Sequence, residues 1–265
     1  MIKKEQNGLI YFEFDRLSQE KNINHFISTR INNRNSEFNL SLYKTDKPEQ
    51  VISNRKKLAG SVIVPFDMMV FQQQIHSTNI HIVSKGDDGK GTLKYDDGIP
   101  DNDAMITNEP GVCINVMAGD CVPLVFYDPV KRVVAVAHAG WRGTYKRIAE
   151  NTIRKMEKEF ACVPSNIFAG IGPSISQKNY EVDGKVYAEF DKRFDNLSKI
   201  FIAGNKDGKY YLNLWEANRQ QLISAGLKEK NIELSNICTF EQNDLFFSAR
   251  RGDKGRFMAG IILEN

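Results

Sequence analysis

Unbroken apolar runs and alternating apolar–polar runs divide this chain into two kinds of predicted strand. Residues 122–126 and 133–137 are unbroken and rich in β-branched side chains, with Asp128-Pro129 and the charged Lys131-Arg132 between them. Runs of that length bounded by turn residues predict a hairpin of two buried strands. Residues 9–14 alternate, and 23–30, 68–74, 80–83, 103–107, 112–117, 167–171, 232–240 and 257–263 read as further strands, with 68–74 and 80–83 expected to pair. Helical spacing marks 49–58 as a short surface helix, 144–160, a stretch running to Phe190, and 212–225, which Gly226 stops. In the 144–160 helix Tyr145, Ile148, Ala149, Thr152, Ile153, Met156 and Phe160 share one face, and Thr144 occupies the expected N-cap. No repeat, low-complexity tract or linker interrupts the order, so one domain over residues 1–265 is expected.

Composition narrows the partners. The chain is 41% hydrophobic and 26% charged, enough to build a sizeable core. Its net charge of +3 is spread without a basic block, so nucleic acid is not the expected partner. Residues 1–8 lack the apolar centre of a signal peptide, and no apolar run is long enough for a bilayer. The four cysteines show no framework spacing and no Cys-x-x-Cys, which points to free thiols in a reducing cytoplasm. Residues 85–103 are rich in Gly and Asp but lack the ordered spacing of a calcium loop, and read as a mobile loop. An Asn/Ser-rich loop is expected over residues 32–39.

The chemistry gathers at the outer end of the hairpin. Cys121 precedes its first strand and His138 follows its second, so an antiparallel pairing sets them side by side. After His138 comes Ala139-Gly140-Trp141-Arg142-Gly143, a glycine-rich turn into a helix. Such a turn can offer N–H groups to an anion; equally, Arg142 can be a surface residue and Trp141 a core one. His76 sits at a bend between strands, where it can point into a cleft or simply be solvated, and His25 is expected to pack against its strand. Arg30 ends a strand, facing either an anion or water. Phe246, Phe247, Arg250 and Arg251 set aromatics beside arginines near the C-terminus.

Seven motifs together resemble a known family. They are Gln74-Ile-His76-Ser, Asp103-Ala-Met-Ile-Thr107, Gly119-Asp-Cys121-Val-Pro123, His138-Ala-Gly-Trp-Arg-Gly143, Gly170-Ile-Gly-Pro173, Tyr180-Glu-Val182 and Phe246-Phe-Ser-Ala-Arg-Arg251. From about residue 24 onward the chain resembles the YfiH-like laccase-domain family, also labelled multicopper polyphenol oxidase, whose members are described as purine nucleoside phosphorylases with adenosine deaminase side activity. One departure is Arg30-Ile31-Asn32-Asn33, where the family usually has a Gly-Gly pair after the arginine.

The resemblance implies an α+β fold, a layered single domain with mixed β-sheets and helices packed on the outside. It implies one zinc ion (Zn2+) per chain held by His76, Cys121 and His138, and purine nucleosides and phosphate as partners. Three N/S ligands leave a tetrahedral zinc one open position, as in catalytic sites. Asp120 and Asp103 are candidates for the general acid, Asp120 alternatively for orienting a ligand. Arg30, Trp141, Arg142, Phe247 and Arg250 are the candidate substrate contacts. A cytoplasmic enzyme, monomeric or weakly homo-oligomeric, follows. The rival readings are a metal-free cysteine hydrolase using Cys121 and His138, a nucleotide-sensing protein with structural zinc, and a copper oxidase, for which four histidines in all are too few.

Overall fold

The computed structural model describes residues 1–32 and 37–264. Residues 33–36, with Asn33 and half of the expected Asn/Ser-rich loop, lie outside the described residues. Two six-stranded sheets form the body. The first runs Ile2–Gln6, Leu9–Glu13, Ile23–Asn32, Phe257–Leu263, Cys113–Ala118, Met69–Val70. The second runs Ile232–Leu234, Phe168–Ile171, Val122–Asp128, Val133–Ala139, Ala104–Thr107, Ile80–Ile82. A small third sheet joins Glu181–Asp183, Lys209–Leu212 and Phe201–Ala203. The α+β class is as the motifs implied.

Side-chain parity shows why the two large sheets lie face to face. Along Val133–Ala139, Val134 and Val136 pack with Val125, Tyr127, Ile27, Ile114, Ala259 and Ile261, a cluster drawn from both sheets. The alternate residues Val133, Ala135, Ala137 and Ala139 pack instead with Ile148, Ala149, Ile153 and Met156 of the helix Ile148–Phe160. On the far side of the first sheet Phe26, Met69, Cys113, Met258 and Ile262 pack with Leu58, Ala59 and Val62 of the helix Pro48–Val62. A period of two on strands buried on both faces therefore produces four layers, helix, sheet, sheet, helix.

Several expectations change in detail. Residues 68–74 and 80–83 do not pair with each other. Met69–Val70 runs parallel to Cys113–Ala118 in the first sheet, and Ile80–Ile82 runs parallel to Ala104–Thr107 in the second. The segment between them crosses from sheet to sheet, and it carries His76. The hairpin extends further than its apolar runs, so His138 lies inside the strand Val133–Ala139 and not beyond it. The helix expected over 144–160 is two, Trp141–Tyr145 and Ile148–Phe160, broken where Arg147 takes a left-handed φ of 68°. Thr144 is consequently buried inside the first of them, and Gly140 holds the N-cap position. The strand expected over 232–240 stops at Leu234, leaving one isolated bridge between Ser174 and Cys238. Among the described residues no helix is long and apolar enough to cross a membrane.

The helix Pro48–Val62 is longer than expected and is no surface helix on its inner side. Arg55 is buried there, with its guanidinium 3.8 Å from the centre of the Phe71 ring. It donates to the carbonyl oxygens of Leu40 at 2.8 Å, Gly91 at 2.7 Å and Thr92 at 3.0 Å. Burial brings its pKa down to about 9. Replacing Arg55 with Met keeps the apolar stem but leaves three buried acceptors without a donor. We expect Arg55→Met to lower stability by at least about 3 kcal/mol; a urea midpoint within error of wild type would contradict this.

Candidate functional site

The open end of the sheet sandwich is where the chemistry-bearing side chains meet. His138 shares its strand face with Val134 and Val136, and the ladder pairs it with Pro123. Cys121 has the parity of Pro123 and Val125, so it projects from the same face one step beyond the strand. His76 comes from the crossing segment and reaches the same point. The ligand atoms of His76, Cys121 and His138 lie within 4.8 Å of one another, the Cys121 Sγ 3.9 Å from His76 Nε2. The two imidazoles meet edge-on with ring centres 4.8 Å apart. His138 is buried, Cys121 half-buried and His76 exposed, so the group faces outward on one side only.

Asp103 holds two of the three in place. Its Oδ1 lies 2.9 Å from His138 Nδ1, and its Oδ2 accepts from Ser77 N at 2.5 Å, Ser77 Oγ at 2.8 Å and Ile75 N at 3.2 Å. Burial pushes this carboxyl up, but the hydrogen bond and charge of His138 and the Ser77 donors outweigh it, and Asp103 stays below its ordinary value. An ionised carboxylate only accepts, so Nδ1 of His138 carries hydrogen and Nε2 is turned to the cluster. Burial likewise pushes the Cys121 thiol up, yet the charge and hydrogen bond of His138, then those of His76, bring it down to about 6. Burial would push His138 down, but the Cys121 and Asp103 charges raise it.

The backbone beside these residues is strained. His76 and Asp120 take left-handed φ values of 61° and 89°, uncommon for residues with a Cβ. Asp120 is stabilised there by its own side chain, which accepts from Thr239 Oγ1 at 2.7 Å, Ser248 Oγ at 3.0 Å and Arg250 N at 2.7 Å. Gly140 is needed for space and not for conformation, since its φ is −71°. A Cβ on it would lie 2.8 Å from Cys121 Sγ and 3.0 Å from His76 Cδ2. A missing side chain thus leaves the donor atoms room to converge, and the donor set of two imidazoles and one thiolate suits a borderline-soft cation such as zinc.

All three donors border one cavity of about 220 Å³. Its other walls include Tyr43, Gln72, Gln74, Tyr95, Lys254 and Arg256. None of Arg30, Trp141, Arg142, Phe247 or Arg250 lines it. Arg142 is exposed, with its guanidinium 4.3 Å from the centre of the half-buried Trp141 ring. Arg30 lies over the buried Phe247 ring at 4.4 Å and 3.3 Å from Asp253. Arg250 donates to the Glu181 carbonyl and lies over Tyr180. Tyr180 itself is close enough for the Cys121 charge, after burial, to raise its hydroxyl pKa.

The cavity's cations, Lys254 and Arg256, come from the loop after Arg251, where the sequence shows Arg256 following Gly255 but assigns it no role. Arg256 donates to the carbonyls of Asp253, Lys254 and Gly255, and neither residue forms an ion pair among the described residues. Gly119 leaves room for this arginine, since a Cβ there would meet Arg256 Cδ at 2.8 Å.

Comparison with known proteins shows the family and the fold. Residues 24–264 match the family model described as multi-copper polyphenol oxidoreductase laccase. A purine nucleoside phosphorylase from Bacteroides thetaiotaomicron is 36% identical over 256 residues, covering 94% of this chain and 95% of that one. An adenosine deaminase from an unknown prokaryotic organism is 34% identical over 255 residues, covering 94% and 97%. The crystal structure of the Bacillus licheniformis hypothetical protein YfiH superposes with a TM-score of 0.91 at 32% identity, covering 99% of each chain.

Two outcomes follow for the cluster. Gly140→Ala should weaken zinc binding at least about tenfold while the fold survives, because only the donor atoms are displaced; equal affinity, measured by competition with a chelating dye, would contradict it. Raised as it is, His138 must give up a proton to bind a cation. Zinc affinity should therefore fall about tenfold per unit as pH is lowered, and a pH-independent affinity would refute the assignment.

Proposed function

The chain belongs to the multi-copper polyphenol oxidoreductase laccase family, and from that membership we propose that it is a zinc-dependent purine nucleoside phosphorylase. Its substrates are adenosine, inosine and methylthioadenosine, with deamination of adenosine as a side activity. The observation that carries this reading is the His76, Cys121 and His138 cluster opening onto a cavity also lined by Lys254 and Arg256. The relatives' names, a phosphorylase and an adenosine deaminase, support the substrate class.

The donor set argues for one metal ion and against a multi-copper centre. Among the described residues it is the one such group of three. Of the remaining histidines, His25 is buried and accepts the Phe14 N–H at 2.8 Å, while His81 lies 3.1 Å from Asp87. A zinc ion bound by the three residues would supply a positive centre with one open position for an anionic or polarised oxygen.

The chain's own residues do the rest. Asp103 orients His138 and the His76 turn, and Asp120 fixes the backbone that presents Cys121. With their carboxylate oxygens committed to these hydrogen bonds, both serve as anchors in this reading and not as proton donors. Lys254 and Arg256 hold phosphate at the cavity wall, where Arg142 is too far round the turn to line it. Phosphorolysis forms a bond from a phosphate oxygen to C1′ of the ribose and breaks the bond to the purine nitrogen. The proton the phosphate loses as it becomes the ribose 1-phosphate dianion passes to the leaving nitrogen through water admitted on the exposed side.

Turnover of inosine with and without phosphate, with products separated chromatographically, tests the proposal. Free base and ribose 1-phosphate should appear only when phosphate is present; base release independent of phosphate would sink it. Cys121→Ser should lose most of its zinc together with activity, whereas a metal-free hydrolase would keep whatever metal it had. Arg256→Ala should raise the KM for phosphate roughly tenfold or more, the loss of one charge-assisted contact, and leave zinc content near one per chain.

A further inference from the structure

Three successive glutamines lead into His76, and their amides have different fates. Gln73 donates to the carbonyl oxygens of Asp96 at 3.1 Å and Tyr95 at 3.4 Å. Gln74 pairs twice with the Met117 backbone, giving to its carbonyl at 2.9 Å and accepting its N–H at 2.7 Å. Gln72 has neither kind of partner: its Nε2 and Oε1 are both buried and both without a hydrogen bond among the described residues. The residue is 6% exposed and lines the same cavity as His76, Cys121 and His138.

A buried amide in this state has lost its water and gained nothing in return, and folded chains rarely keep such a group without a use for it. Packing alone does not require it, because a leucine fills nearly the same volume with no polar atom to strand. Gln72, Gln74 and His76 all line the one cavity. Gln72 is then at most about 14 Å along the chain from the metal ligand. Tyr43 and Tyr95, ring centres 5.1 Å apart, add flat apolar surface to the same cavity.

We propose that Gln72 is the base-recognition residue of this site, pairing its amide with the position-6 edge of a purine nucleoside. This rests on the nucleoside reading above and names the part of the substrate that is read. An amide offers one donor and one acceptor side by side. A 6-oxopurine presents an acceptor at O6 beside a donor at N1, and a 6-aminopurine presents a donor at N6 beside an acceptor at N7 or N1. Turning the amide over matches either pattern. The residue therefore accepts both 6-oxo and 6-amino purines and disfavours a purine with hydrogen at that position.

The test compares inosine, adenosine and purine riboside, which lacks the 6-substituent, on wild type and Gln72→Leu. Wild type should favour inosine and adenosine over purine riboside. Gln72→Leu should lose roughly ten- to thirtyfold in kcat/KM on the first two, keep purine riboside within about twofold, and leave the KM for phosphate unchanged. Its melting temperature should not fall, since the stranded amide is gone. An equal loss on all three nucleosides, or no loss on any, overturns the proposal.

Gln72→Glu guards against a packing artefact: it keeps the shape but offers only acceptors. Against either base it keeps one bond and sets an acceptor against an acceptor, so kcat/KM should fall about tenfold or more on inosine and adenosine alike with the KM for phosphate unchanged, and undiminished rates on both overturn the proposal. If wild type turns over no nucleoside with phosphate, the phosphorylase reading alone fails. Calorimetric binding of inosine and purine riboside to the zinc-loaded protein then makes the same comparison. Equal inosine affinity in wild type and Gln72→Leu, or no binding to either, refutes the role of Gln72.

Discussion

The Asp103 carboxylate is the interaction on which the site depends. One oxygen fixes the His138 ring and the other gathers the N–H groups and hydroxyl of the His76 turn. Those two elements reach the site by different routes, one as a strand of the second sheet and the other as a crossing between sheets. The backbone repeats the tie, since the Asp103 carbonyl accepts the His138 N–H at 2.7 Å. A single buried charge thus sets the distance between two histidines that no sheet ladder relates. Without it, only the Gln74 pairing with the Met117 backbone would hold the turn that carries the exposed His76.

The fold supplies what the carboxylate cannot. Two sheets packed face to face leave an open end, and side chains of inward parity that fall beyond the last packed layer project there. His138 and Cys121 are the next inward residues after Val136 and Pro123, at the point where apolar packing stops. Left-handed backbone at His76 and Asp120 bends the chain across this opening. Each bend costs about 1–3 kcal/mol, and each is offset by a carboxylate saturated with donors. Strain and anchoring go together at this end of the molecule.

The hairpin, and with it the pairing of Cys121 with His138, was legible because unbroken apolar runs, a turn and two reactive ends stood in a simple order. His76 was visible only as a histidine in a bend, and the family motifs gave it a role. The pairing of 68–74 with 80–83 failed because two short neighbouring strands fit either one another or separate sheets, and only packing decides. The break at Arg147 carries no glycine or proline signal, so helical spacing ran straight through it. Arg30 and Phe247, each expected as a substrate contact, stack on each other and do not line the cavity. Tyr43, Gln72, Tyr95, Lys254 and Arg256 lie on loops far apart in sequence, and nothing local announces that they share a wall.

Arg55 bears on the aspartate- and glycine-rich segment that superficially suggested calcium. The carbonyls of Gly91 and Thr92 in that segment, together with Leu40, converge on its guanidinium. Backbone oxygens closing on one positive centre are the coordination shell that a loop ordinarily recruits from solution as a dissolved ion. Here the cation is covalently part of a helix. The loop is therefore tied to a cation that is present once in every chain. The wall that carries Tyr95 is assembled by a counter-ion the chain can never lose.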